Sequence, residues 1–289
     1  MNGPEYVSSR PLAHGLRRLL LVYCGLGVLT GIPLFLGTEH TDRYFAWTIK
    51  PPLTAAFLGA GYWASAGLNL LAARERTWAR ARIAVPAGLV FTSLMLVATL
   101  VHLDRFHFHS TIRIAQTVTW IWLVVYVLVP SLMLVLLAFQ LRVRGTDVPR
   151  AAPLPRWMRL ALALQGLVML SVGAALFVDP SGTASIWPWP LTPLTSRAVG
   201  AWLVGVSVVA LQMAWEGDLG RARAGLIGYA ILGGLQCVAL LRYPKTPDWS
   251  GPSAWLYLLF VLSVLGVGLY GWARTRRASI GRTTLAAPS

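Results

Sequence analysis

The sequence predicts an all-α protein: a polytopic transmembrane helical bundle of eight spans, built as two parallel four-helix repeats with both termini cytoplasmic. Three observations predict it. Of 289 residues, 56% are hydrophobic and only 12% charged, about half the charge of an average soluble domain. Uncharged apolar stretches of roughly 20 residues, the length needed to cross hydrocarbon, recur along the chain. The basic residues then gather in alternate connectors, and one half of the chain repeats the other.

This composition excludes a water-soluble globule, a disordered chain and a disulfide-stapled secreted domain. Cys24 and Cys237 lie inside apolar runs and belong to no CxxC or spaced Cys/His set, so they read as small core residues. The formal charge of +15 comes from 23 Arg with Lys50 and Lys245. In a soluble protein it would suggest nucleic acid. Here the arginines sit between apolar runs, which points to membrane topology and to no nucleic-acid partner.

The apolar stretches run at 19–37, 51–73, 83–101, 114–141, 160–178, 198–215, 224–241 and 253–272. Each reads as a helix, because a single span in hydrocarbon must satisfy its own backbone hydrogen bonds. Pro33, Pro86 and Pro130 fall within or near helix ends, where packed neighbours tolerate a kink. The fourth stretch is long enough to require tilt. Arg17 and Arg18 before the first stretch resemble a signal-peptide n-region. The apolar run exceeds a typical h-region, however, and Gly37-Thr38-Glu39 is a poor cleavage site, so a retained helix is expected.

Orientation follows from charge. Arg10, Arg17 and Arg18 precede the first span. Arg74, Arg76, Arg80 and Arg82 fill the second connector, and Arg142, Arg144, Arg150, Arg156 and Arg159 the fourth. Arg221 and Arg223 lie in the sixth, and Arg274, Arg276, Arg277 and Arg282 in the tail. These are 18 of the 25 basic residues, against 7 (Arg43, Lys50, Arg105, Arg113, Arg197, Arg242, Lys245) in the other connectors. The positive-inside rule places the richer side, with both termini, in the cytoplasm, and only an even number of spans allows that. The expected location is a bacterial cytoplasmic membrane.

A shift of 141 residues aligns the two halves without a gap. Arg18-Leu19 falls on Arg159-Leu160, Gly25-Leu26 on Gly166-Leu167, and Pro52-Leu53-Thr54 on Pro193-Leu194-Thr195. Gly59-Ala60 falls on Gly200-Ala201, Glu75 on Glu216, and Arg80-Ala81-Arg82 on Arg221-Ala222-Arg223. Agreement of Pro, Gly, Thr, Glu and Arg at one offset marks a tandem duplication. Because four is even, both copies enter the membrane the same way round. The organisation read from this is a first repeat at 1–145, a linker at 146–156, a second repeat at 157–275 and a basic tail at 276–289. Small residues such as Gly59, Gly61, Gly200 and Gly205 would let helices approach closely.

The segments FAWTIKPPLTAAFLGAGYW (45–63) and WPWPLTPLTSRAVGAW (187–202) resemble stretches of multi-pass bacterial membrane proteins. The resemblance covers the two repeat cores and carries no catalytic motif, so it bears on fold and implies no activity.

No GxxxxGK[ST], GxGxxG, GxSxG, HExxH or CxxC occurs, and the reading leans to a protein that is not an enzyme. No Asp, Glu, Lys, Arg or His lies in the middle of a span, which argues against an ion-coupled pump and against a bis-histidine haem in the core. The polar residues noted within the spans, Asn69, Gln116, Gln165, Gln212 and Gln236, are assigned first to interhelical hydrogen bonds.

Four of five histidines lie on the outer side: His40 in Glu39-His40-Thr41-Asp42, and His102, His107 and His109 in a run that also holds Asp104. His and carboxylate together suit a divalent metal ion, here confined to the first half; an interfacial rim is the plainer alternative. Glu-x4-Arg-x-Arg occurs twice, as Glu75, Arg80, Arg82 and as Glu216, Arg221, Arg223. It reads either as Glu–Arg pairs that stitch loops or as an Arg clamp for lipid phosphate. The Trp/Pro stretches around Trp47, Trp187 and Trp189 are expected to anchor at the headgroup level.

Three functions compete. One is a permease-like or lipid-handling protein with a path between the repeats. Another is a membrane subunit of a redox or metal-dependent complex using the outer histidines. The third is a scaffold or assembly factor that recruits another membrane protein. Membrane lipids are partners in all three.

Overall fold

The structure is a computed structural model and describes residues 9–285. Residues 1–8, and 286–289 at the end of the expected basic tail, lie outside the described residues. The described residues are helical, with isolated backbone bridges but no strand. Eight long helices follow one another: α1 (His14–Phe35), α2 (Pro52–Arg74), α3 (Ala84–Val101), α4 (Arg113–Arg142), α5 (Arg156–Val178), α6 (Pro193–Glu216), α7 (Leu219–Arg242) and α8 (Pro252–Leu285). The last continues past 275, where the second repeat was expected to end.

Seven of the eight are long and apolar enough to cross a membrane, and the chain is that of a membrane-embedded protein. Helix α2 is the exception. Its 23 residues suffice in length, but Gly, Ala, Ser and Asn dilute its hydropathy. Burial explains this: 16 of those residues are buried, so α2 meets other helices more than lipid. A helix surrounded by protein gains from small side chains that allow close approach rather than from bulk apolar surface. The outer helices do the reverse, leaving Leu29, Leu134, Leu160 and Leu259 exposed.

Packing runs in pairs. Helix α1 lies along α2, α5 along α6, α3 against α4 and α7 along α8. Two contacts that cross the middle of the chain, α2 with α7 and α3 with α6, are more extensive than that of α3 on α4. The inner layer is therefore α2, α3, α6 and α7, and the two halves interlock through it. Glycine sets two of these approaches. A Cβ on Gly59 would lie 2.7 Å from the backbone nitrogen of Phe35, and one on Gly200 would lie 2.6 Å from the carbonyl oxygen of Gly173.

The Trp/Pro segments do not form the expected headgroup anchors. Trp47, Trp187 and Trp189 are buried, and Trp47 meets Phe45, Phe106 and Trp122 at ring-centroid distances of 4.7–5.2 Å. Trp189 donates from Nε1 to Thr54 Oγ1 at 2.9 Å. Proline keeps these connectors out of a regular helix, and their rings close over that end of the inner layer.

Candidate functional site

Three places gather the polar chemistry: the arginine-rich end of the bundle, the histidine-rich end, and the seam between them.

At the arginine-rich end the α6–α7 corner is set by local chemistry. Gly217 takes the left-handed conformation (φ 59°) that ends α6 without a Cβ penalty. Asp218 then caps α7, accepting from the Arg221 backbone N–H at 3.0 Å. The other Asp218 oxygen accepts from Ala151 and Ala152 N–H at 2.9 and 2.8 Å, which ties the linker to this corner. The corner leaves Glu216 at the C-terminal end of α6, where the helix dipole disfavours an anion.

Cations offset that cost. Glu216 is 2% exposed and accepts from Arg82 Nε at 2.6 Å and Arg221 NH1 at 2.7 Å. Arg82 reaches Asp147 Oδ2 at 2.6 Å, and Arg221 donates to the Val148 carbonyl at 2.5 Å. Arg150 stands 3.9 Å from Glu216 on the outside of the group. A buried carboxylate is thus enclosed by guanidinium groups from both halves of the chain.

The matching motif in the first half is looser. Glu75 and Arg80 are 3.9 Å apart, with Arg80 41% exposed. Arg17 donates to the Glu75 carbonyl rather than its carboxylate, at 3.0 Å. Arg223 is exposed. Of the four arginines singled out in the sequence, Arg82 and Arg221 are brought together, while Arg80 and Arg223 stay outside the buried group. Asp147 and Asp218 were missed by motif reading. With only ten acidic residues against 25 basic, any acid lying between arginines was already a candidate partner.

At the histidine-rich end the five expected metal ligands do not converge. Among the described residues, no group of three or more His, Cys, Asp or Glu is placed to share an ion. His107 is committed on both nitrogens: Nδ1 donates to the Phe45 carbonyl at 3.0 Å, and Nε2 accepts from Thr48 Oγ1 at 3.1 Å. His102 Nε2 accepts from Arg197 NH1 at 2.7 Å, joining the end of α3 to the start of α6. Partial burial, and then the Arg197 charge, hold the His102 imidazole below its ordinary range. Asp104 pairs with its neighbour Arg105 at 2.9 Å, and His109 is exposed. His40 lines a separate 330 Å³ pocket with Glu39, Asp42, Arg43 and Lys50. Arg242 adds a further link across the halves at this end, donating to the Phe35 carbonyl at 2.7 Å.

Between the two ends the seam is apolar but incompletely filled. One cavity of about 50 Å³ lies among α2, α3, α6 and α7, bounded by Gly61, Ala64, Gly88, Phe91, Gly205 and Gly228. A second of about 50 Å³ lies among α2, α5, α6, α7 and α8. Both are bounded by Gly61, Trp202, Val206 and Leu232, so the Trp202 and Leu232 side chains form a shared wall. No charged residue lines either cavity.

No protein family, curated protein or solved structure matches the chain.

Proposed function

We propose that the chain is a non-enzymatic, permease-like or lipid-handling protein of the bacterial cytoplasmic membrane, with its path at the seam between two parallel four-helix repeats. The observation that carries this reading is the pair of adjoining uncharged cavities within the interlocked inner layer. An apolar solute or acyl chain suits such a lining, whereas an ion would have to shed its water against it with no compensating charge. At about 50 Å³ each, the cavities mark the closed state. Transport opens the inner layer along Gly61 and Gly205, where a Cβ would come within 3.0 Å of Trp202 and Phe91.

Several features support the duplication and the orientation. The eight helices fall in register at the 141-residue offset. The cross-half contacts exchange under it, since α2 on α7 becomes α6 on α3. Even the corners correspond. The Leu12 N–H donates to Arg76 O at 3.1 Å at the first corner, and the Leu154 N–H to Gly217 O at 2.9 Å at the second. The excess of arginine at this end supports a cytoplasmic setting for it. The resemblance of 45–63 and 187–202 to multi-pass bacterial membrane proteins fits the same setting.

The test is transbilayer movement of a fluorescent (NBD-labelled) phospholipid in proteoliposomes, read by dithionite quenching from outside. Wild-type protein is expected to raise the quenchable fraction above the half seen in protein-free vesicles. Gly61→Phe, which fills the seam against Trp202, is expected to abolish the rise while the protein stays monodisperse. Equal quenching with and without wild-type protein would overturn the reading.

A further inference from the structure

Two arginines at the arginine-rich end stand apart from the buried group around Glu216. Arg156 and Arg159 occupy the first turn of α5, three residues apart, so their side chains are neighbours. Both are exposed, the turn holds no acid, and no carboxylate among the described residues pairs with either. Like charges one turn apart repel. Arg159 is nonetheless held in place, because its Nε donates to the Ala214 carbonyl in the last turn of α6 at 3.1 Å. Gly217 leaves room for it, since a Cβ there would lie 3.3 Å from Arg159 Cζ. The two terminal nitrogens of Arg159 make no hydrogen bond among the described residues.

Tryptophans flank the pair. Trp157 and Trp215 are 50% and 72% exposed, unlike the buried indoles at the other end. The bond from Arg159 to Ala214 sets the start of α5 level with the end of α6, so both indoles stand at similar depth. Trp157 rests against Tyr270 of α8, with ring centroids 5.0 Å apart. Below Arg156, the exposed Leu160, Leu164 and Leu167 follow at spacings of four, four and three, which keeps them on one stripe of α5. Charge, indole and alkyl surface thus succeed one another in the order of a phospholipid's own parts.

The first half has no such face. At the 141-residue offset Arg159 falls on Arg18, but Arg156 falls on Gly15 and Trp215 on Arg74. Trp157 and Leu160 fall on Leu16 and Leu19, both buried.

We propose that this face of α5 and α6 binds an anionic phospholipid such as phosphatidylglycerol. Its phosphodiester sits between Arg156 and Arg159, whose planar forks match phosphate oxygens. The indole N–H groups donate to glycerol and ester oxygens, and one acyl chain lies along Leu160, Leu164 and Leu167. A zwitterionic lipid brings the same phosphate with an ammonium, to which the face offers two cations and no carboxylate. An acidic protein segment would use the arginines and leave the leucine stripe unused. The site lies on the lipid-facing surface, away from the seam, and requires only that the chain be membrane-embedded.

The experiment uses full-length protein in phosphatidylcholine nanodiscs holding a minor fraction of phosphatidylglycerol with a diazirine in one acyl chain. Labelled peptides are located by mass spectrometry. Labelling is expected within 160–167, competed by unlabelled phosphatidylglycerol but not by phosphatidylethanolamine or inorganic phosphate. Arg156→Gln and Arg159→Gln are each expected to weaken the competed labelling about fivefold, and the two together about thirtyfold. Arg18→Gln is expected to leave it unchanged.

A second readout separates binding from a structural role. Phosphatidylglycerol is expected to raise the thermal midpoint of wild-type protein but not of the double variant, while the two agree in phosphatidylcholine alone. Equal competition by phosphatidylethanolamine overturns the proposal, as does displacement by inorganic phosphate, which assigns the arginines to a free anion. Unchanged labelling in the double variant overturns it too. So does an equal loss in Arg18→Gln, which reduces the effect to the general charge of the rim. A double variant already less stable in phosphatidylcholine assigns the arginines to the fold instead.

Discussion

Arg82 and Glu216 stand 134 positions apart in the chain and meet at 2.6 Å, from Nε to Oε1. One belongs to the connector before α3, the other to the last turn of α6, and α3 and α6 are neighbours in the inner layer. The ion pair therefore fastens the halves at the arginine-rich end, as His102 and Arg197 do at the other. Asp147 draws the linker into the same group.

Because Glu216 is 2% exposed, removing its charge takes the near counter-ion from buried Arg221 and leaves Arg82 with Asp147 alone. Glu216→Gln is expected to destabilise the protein by about 3 kcal/mol. Glu75→Gln, at the looser and more exposed counterpart, should cost well under ~1 kcal/mol. Chemical unfolding in detergent micelles separates the two; equal losses would mean that the buried group is not the fastening point.

The glycines at the tight crossings make a second comparison. At Gly59 and Gly200 an added methyl meets backbone of the neighbouring helix, whereas nothing lies within 4 Å of one at Gly234. Gly59→Ala and Gly200→Ala are each expected to lose about 2 kcal/mol, since backbone cannot step aside. Gly234→Ala should be neutral or stabilising, because alanine lowers the cost of ordering a helix. Thermal midpoints of the three variants decide it, and a loss at Gly234 equal to that at Gly59 would contradict the packing described here.

These comparisons also mark how far the sequence was legible. Hydropathy located the long helices to within a few residues, except that α8 runs on from the end of its apolar stretch at 272 to Leu285, because lipid-facing surface must be apolar whatever the fold. Its signal was weakest at α2, whose Ala- and Gly-rich surface faces protein. It also began inside α6 and α7, after their polar first turns, where Thr192 and Asp218 supply caps that no apolar run reveals. The Glu-x4-Arg-x-Arg motifs were visible, but nothing in their spacing tells that Glu216 takes its second cation from the other half. The histidines were visible too. Their spacing did not disclose that His107 would spend both nitrogens on Phe45 and Thr48.

Acid should loosen the histidine-rich end. The folded pKa of His102 lies below its ordinary 6.5, so as pH falls the unfolded chain takes up a proton before the folded one does. Stability from this residue is thus complete above the ordinary histidine range, is lost as pH drops through 6.5 toward the folded value, and is level below that. Protonation also sets an imidazolium against Arg197. His102→Gln, which keeps an acceptor for Arg197, is expected to flatten the fall in thermal midpoint between about pH 7.5 and about pH 5. Parallel curves for wild type and variant would assign the acid sensitivity elsewhere.

The account depends most on two copies of a four-helix unit entering the membrane in the same direction. Single cysteines at Ser9, Ser110, Thr146, Ser250 and Thr275, in a background with Cys24→Ala and Cys237→Ala, test this directly with a membrane-impermeant maleimide on intact cells. Cysteines at 110 and 250, which follow the same helix of each copy, should react at once, and those at 9, 146 and 275 only after the membrane is opened. Reaction of 110 and 250 from opposite sides, or of 9 and 275 from opposite sides, would contradict it.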